Sequence, residues 1–227
     1  MERKIKIKAR TDDEKAEQYE RILDVGIELF IKRGGFSMRQ LARELGMSEA
    51  FMYNYFSSKR ELWIGIRKRY FSQYQDGLQK LYDKYESNVI QFFLNWVEFF
   101  LEFAASDYNR FKMMFLINAP KSRKIGPLEK NYKRFNLFES GFKRINEVLE
   151  KNKLKMPKIE PLVYFIFSLV FGVAKIEADL KLRYDITEPL IPSEEKKITS
   201  EELREFTVIK VKEIIENELR KYNPDYK

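Results

Sequence analysis

Between Ser48 and Lys59 the chain reads SEAFMYNYFSSK, which sets Tyr53, Asn54 and Tyr55 beside Glu49, Ala50 and Phe51, with Lys59 a few residues further on. In a helix Met52 and Phe56 share one face and turn inward, leaving the other side chains outside. Tyrosine hydroxyls, an asparagine amide and a lysine suit hydrogen bonds to phosphates and base edges, and a small Ala50 near the amino end permits close approach. The chemistry on offer is non-covalent recognition, and a helix of this kind fits the major groove of DNA. An ordinary helical hairpin within a core would present the same inward face.

Such a helix needs a partner that holds it. Met38, Leu41, Ala42 and Leu45 fall at i, i+3, i+4 and i+7, one apolar face of a short preceding helix. Ser37 with Gln40 three residues later reads as a capping box. Gly46 suits the left-handed conformation that ends a helix, Met47 anchors the turn, and Ser48 caps the second helix. The smallness of Ala42 lets two steeply crossing helices touch. Residues 38–56 therefore read as a helix-turn-helix.

The stretch RILDVGIELFIKRGGFSMRQLARELGMSEAFMYNYFSSKRELW, about residues 20–62, resembles the amino-terminal DNA-binding domain of the TetR family of transcriptional regulators. The likeness is carried by Ile27, Glu28, Leu29, Phe30 and Gly34, then Ser37, Met38, Arg39, Leu41, Ala42, Gly46, Met47, Ser48, Tyr53, Phe56, Lys59 and Leu62. It implies DNA contacts from Ser37, Arg39, Ser48, Glu49, Ala50, Phe51, Tyr53, Asn54, Tyr55 and Lys59. The chain departs from the family pattern in a shorter loop after Gly34 with Phe36 in it, in Phe51 where Thr or Ser is common, and in Tyr55 where His is usual. No operator sequence follows from these residues.

Covalent chemistry has little to work with. There is no cysteine and no histidine among the 227 residues, which removes disulfides, thiolate nucleophiles, His-based acid–base pairs and the commonest zinc ligands. No enzyme activity, cofactor or metal is expected. A hydrophobic fraction of 44% with 34% charged residues fits a globular chain able to bury a substantial core. The longest uncharged stretch, residues 161–174, is shorter than the roughly 20 residues needed to span a bilayer. No membrane association is therefore expected, and, since no amino-terminal apolar segment resembles a signal peptide, a cytoplasmic location is expected.

The net charge of +8 is unevenly spread: residues 1–70 hold 16 Lys/Arg against 11 Asp/Glu, and the first ten alone hold five against one. That basic arm suits phosphates or a minor groove, and equally a solubilising tail.

Without any sustained two-residue alternation the chain reads as all-α with about nine helices. Thr11 with Glu14 caps a first helix whose buried stripe is Ala16, Tyr19, Leu23, Ile27 and Phe30. Ser58 with Glu61 opens a helix to about residue 85, residues 128–151 read as another, and one from Pro161 reaches about residue 184. Thr199 with Glu202 caps a last helix to about residue 222. These divide as a DNA-binding domain, 1–62, and a larger domain, 63–227.

That second part is rich in aromatics, with 19 Phe in the whole chain. Many must be simple packing, yet apolar walls with flexible methionines also suit a small-molecule cavity between helices. The candidates are Phe92, Trp96, Phe99, Phe100, Phe103, Phe111, Met114, Phe115, Phe135, Phe138, Phe142 and Phe165. The resemblance implies an effector-binding domain that forms a homodimer through its last two helices, with Phe167 and Val211 as candidate interface positions. The expected function is a repressor of double-stranded operator DNA, released by a hydrophobic small molecule such as a long-chain acyl thioester. Cationic drugs met by Glu98 or Glu102, and a lipid-handling protein or enzyme without DNA-dependent function, are the alternatives.

Overall fold

The computed structural model describes residues 11–33, 35–133, 137–181 and 198–226. The basic arm, Gly34, Phe135 and the loop at 185–197 lie outside the described residues. Among the described residues there are ten α-helices, three of them only four residues long, one π-helical turn and no strand. The chain is all-α, as its patterning implies. It divides into two compact units, Met1–Gln73 with Asn109–Phe135, and Tyr74–Tyr108 with Asn136–Lys227.

In the first unit α1 (Asp12–Arg33) starts where expected, because Thr11 and Glu14 exchange side-chain-to-amide bonds of 3.2 Å and three acids occupy its first turn. Leu23, Ile27 and Phe30 of the expected stripe are buried with Ile22. Ala16 is exposed, and Gln18 is buried instead because its carbonyl accepts a 2.8 Å bond from the Tyr55 hydroxyl. Next come α2 (Met38–Glu44) and α3 (Glu49–Met52), then the long α4 (Lys59–Tyr85). Arg69 of α4 clamps α1 through Glu20 and Asp24, both at 2.8 Å.

The returning segment of this unit contains α6 (Tyr108–Phe111), the π-helical turn Lys112–Leu116 and α7 (Pro127–Lys130). The π-helical turn packs on α1, and Phe115 meets Phe71 and Phe111 edge-on or tilted within 6 Å. Residues 128–151 are therefore not one helix. The early turn closes at Asn131, whose side chain bonds the Pro127 carbonyl at 3.1 Å, and α8 (Leu137–Lys151) begins afresh.

Glu61 explains why α7 forms where it does. Ser58 does cap Glu61 at 3.2 Å, but the Glu61 carboxylate does not complete the box. It accepts from the Ser57 amide and hydroxyl at 2.8 and 2.7 Å, and from the Leu128 and Glu129 amides at 2.8 and 3.1 Å. One carboxylate thus joins the end of the helix-turn-helix to the start of α7. Burial alone would raise its pKa, but these donors outweigh burial and hold it below the ordinary range.

The second unit is built from α5 (Val89–Ser106), α8, α9 (Ile159–Lys181) and α10 (Ser200–Tyr222), with the last part of α4. Asn88 caps α5 at 3.0 Å, and Thr199 and Glu202 form the full capping box of α10. Phe93, Val97, Leu101, Val148, Ile166, Val170, Val211 and Ile215 are buried together as its core. Helices α5, α9 and α10 pack on one another, and Arg204 bridges Glu177 and Glu102 across them at 2.7 and 3.0 Å. Two helices, Val89–Ser106 and Ile159–Ala178, are long and apolar enough to cross a membrane, contrary to the count of uncharged residues. Both contribute side chains to this folded core.

A candidate nucleic-acid interface and a helical cavity

The helix-turn-helix is built from short-range bonds. Ser37 accepts from the Gln40 amide at 3.1 Å and Ser48 from the Phe51 amide at 3.2 Å, so both helices start on side-chain oxygens. Gly46 has φ +69°, the left-handed turn that other residues resist. Leu41, Ala42, Met52 and Phe56 are buried, Ala42 at 2% exposure, and the two helices pack on each other. Regular α3 spans only Glu49–Met52, and turns carry the chain on through Tyr53, Asn54 and Tyr55.

On the outer face Arg39, Glu49, Ala50, Tyr53 and Asn54 are exposed, while Phe51 is half-buried. Ser37, Arg39, Ser48 and Glu49 together rim an open cleft between α2 and α3. Tyr53 donates to Glu49 at 3.3 Å, leaving its ring on the surface. Tyr55 is placed differently from its neighbours. Its hydroxyl is given to Gln18, and its ring is set against Phe51 in a T-shaped pair with centroids 5.5 Å apart.

Lys59 sits with its ammonium 4.1 Å from the centre of the Phe36 ring and 5.2 Å from that of Phe30. Phe36, in the loop that departs from the family pattern, is thus a platform for this lysine. Partial burial there pushes the ammonium pKa down from its usual value, while the two ring faces hold the cation in position.

A cavity of about 160 Å³ lies in the second unit. Its lining combines Leu78 from α4, Phe92 and Trp96 from α5, Phe138 and Ile145 from α8, and Val163 and Phe167 from α9, with Gln75, Gln79 and Arg144 as polar groups. Arg144 is held by the Gln79 side chain, by Glu147 at 2.9 Å and over the Tyr82 ring.

Of the twelve aromatic and methionine candidates, Phe92, Trp96 and Phe138 line this cavity. Phe100 lies behind Phe167, Phe142 leans on Phe138 and Tyr164, and Phe99 and Phe103 pack on the Tyr74 ring. Phe111, Met114 and Phe115 belong to the first unit and pack there, and Phe165 points outward at 58% exposure. The sequence reading overlooked the cavity residues from α4 and α9. They look like any apolar or polar helix position until the helices are assembled. Glu98 and Glu102 are exposed and absent from the lining, and Glu102 pairs with Arg204, so the counter-charge role read for them does not hold.

Two side-chain-capped helices that pack on each other, joined by a left-handed glycine turn and presenting a largely polar outer face, form a helix-turn-helix. Residues 22–65 match the sequence model for bacterial regulatory proteins of the tetR family. The matched residues cover the helix-turn-helix, and the match supports a DNA-binding transcriptional regulator of that family. No curated protein matches it.

Proposed function

We propose that the chain is a cytoplasmic, homodimeric repressor whose hold on operator DNA is released by a hydrophobic ligand. The observation that carries this reading is the double engagement of α4. Near its start Glu61 secures the end of the helix-turn-helix, and further along Gln75, Leu78 and Gln79 line the cavity. A ligand that enters the cavity changes DNA affinity only by favouring one arrangement of that helix over another.

The volume narrows the ligand class. About 160 Å³ compares with the ~150 Å³ apolar cavity that accepts benzene, so a compact aromatic or the tip of an acyl chain fits as the helices stand. A full long-chain acyl thioester requires α8 and α9 to part.

The test is titration of the chain's own upstream region with and without compact aromatics and acyl thioesters of increasing length. Trp96 in the cavity wall, one of two tryptophans, reports occupancy by its emission. The expected result is a saturable emission change with operator affinity lowered about 5- to 150-fold, the usual range for allosteric pairs. Saturating occupancy with operator affinity unchanged refutes the release mechanism.

Lys59→Ala is expected to weaken binding to every duplex alike and to shallow the salt dependence by about one charge, because a phosphate contact carries no base information. Changes at Phe51 or Asn54 should alter sequence preference instead. A Lys59→Ala defect confined to one operator base contradicts the assigned role.

A further inference from the structure

The segment between the π-helical turn and α7, residues 118–126, reads NAPKSRKIG, with three cations and no acid. Lys121, Arg123 and Lys124 are all exposed. No hydrogen bond or ion pair ties the Lys121 or Arg123 side chain to a carboxylate among the described residues. With Arg60 and Ser122, Lys121 and Arg123 line an open cleft. The Lys124 ammonium lies 5.7 Å from the ring centre of Tyr53, on the outer face of the recognition segment.

This loop is tied down at both ends. The Trp63 indole donates to the Ile117 carbonyl at 3.1 Å, and Glu61 holds the Leu128 and Glu129 amides. Arg60 pairs with Glu129 at 2.5 Å. Gly126 lies so close to the end of the helix-turn-helix that a Cβ there would meet Ser57 Oγ at 2.0 Å and the Glu61 carboxyl at 2.2 Å. Ser122 shapes the tip by accepting from the Lys124 amide at 3.1 Å and donating to its carbonyl at 2.8 Å. Unpaired cations on an anchored loop lose little conformational freedom when they meet an anion.

We infer that residues 118–126 form a second DNA-contacting element, which grips the phosphate backbone beside the groove entered by the recognition helix through Lys121, Arg123 and Lys124. The inference rests on the DNA-binding reading of the helix-turn-helix. It adds to that reading a contact from outside the domain that residues 22–65 define. Duplex DNA is the partner because Lys124 adjoins Tyr53, in the recognition segment that this reading places in the groove. A contact of this kind positions the protein without reading sequence.

The experiment compares the full-length chain with its Lys121→Ala/Arg123→Ala/Lys124→Ala variant on duplex from its own upstream region and on unrelated duplex, across a range of salt. The variant is expected to bind both duplexes at least about tenfold more weakly at physiological salt. Its log K against log salt line should be shallower by about 2 to 3 for each protomer engaged. Thermal melting should be unchanged, since the altered side chains are exposed. Phosphate-ethylation interference on the wild type should show protected phosphates that disappear in the variant. An unchanged salt slope and interference pattern in the variant, with the wild type binding, overturns this inference alone. A wild type that binds no duplex overturns it together with the DNA-binding reading.

Discussion

Glu61→Ala is expected to lower stability by about 3 kcal/mol or more, because it removes one carboxylate from four donors. The Ser57, Leu128 and Glu129 amides lose their acceptor, and a buried donor left unsatisfied costs about 1 to 3 kcal/mol. Glu61 itself is 2% exposed, so water does not readily replace it. Glu61→Gln keeps the shape and one carbonyl oxygen, and should lose less.

The pH dependence distinguishes the charge from the packing. The folded carboxyl has a lowered pKa, so its contribution is complete above the usual glutamate value near 4.5. It is lost progressively as the pH falls below that value and through the lower folded one. Melting of the wild type and of Glu61→Gln should therefore differ at neutral pH and converge in acid. Equal melting at neutral pH would show that the charge of Glu61 contributes nothing net. The same variant should lose operator affinity, because Ser57 follows directly on the recognition segment.

The second large effect concerns the proposed dimer. On α9, Leu162, Phe165, Leu169, Gly172 and Ile176 follow one another at alternating steps of three and four, and none is buried. Phe165 is 58% exposed, and nothing lies within 4 Å of where a Cβ on Gly172 would stand. This is an apolar stripe left over after α9 has packed on α5, α8 and α10. A second copy is the occupant that the proposed two-fold operator binding calls for.

Phe165→Glu should yield a monomer by light scattering, with operator affinity lower by about 10²- to 10⁴-fold, because two linked heads bind far better than one. Phe206→Glu on α10, at 57% exposure, is the companion test. Phe167 and Val211 are unsuitable for this purpose. Phe167 lines the cavity and Val211 is fully buried, so a charge at either would damage the fold of the protomer. A wild type that is monomeric at micromolar concentration removes the dimer from the proposal.

Several features that depend on neighbours three or four residues apart were legible in the sequence. Thr11 with Glu14, Ser48 with Phe51 and Thr199 with Glu202 carry their own bonding partners, so α1, the recognition helix and α10 begin where those residues stand. The turn at Gly46 and the smallness of Ala42 belong to the same class. Such signals are local because backbone hydrogen bonds and helical faces repeat within one turn.

Only the tertiary structure decided which long-range partner each side chain took. Glu61 had an equally good local role in a capping box, yet its carboxylate went to amides 67 and 68 residues away. The Tyr55 hydroxyl turned to Gln18, 37 residues back, instead of the groove face. The phenylalanines are alike in composition and spacing. Whether a given ring lines a cavity as Phe92 does, fills a core as Phe111 does or faces water as Phe165 does depends on which helices close around it. Apolar burial carries no direction of its own, so a run of aromatics specifies that something is covered and leaves to the packing of helices what covers it.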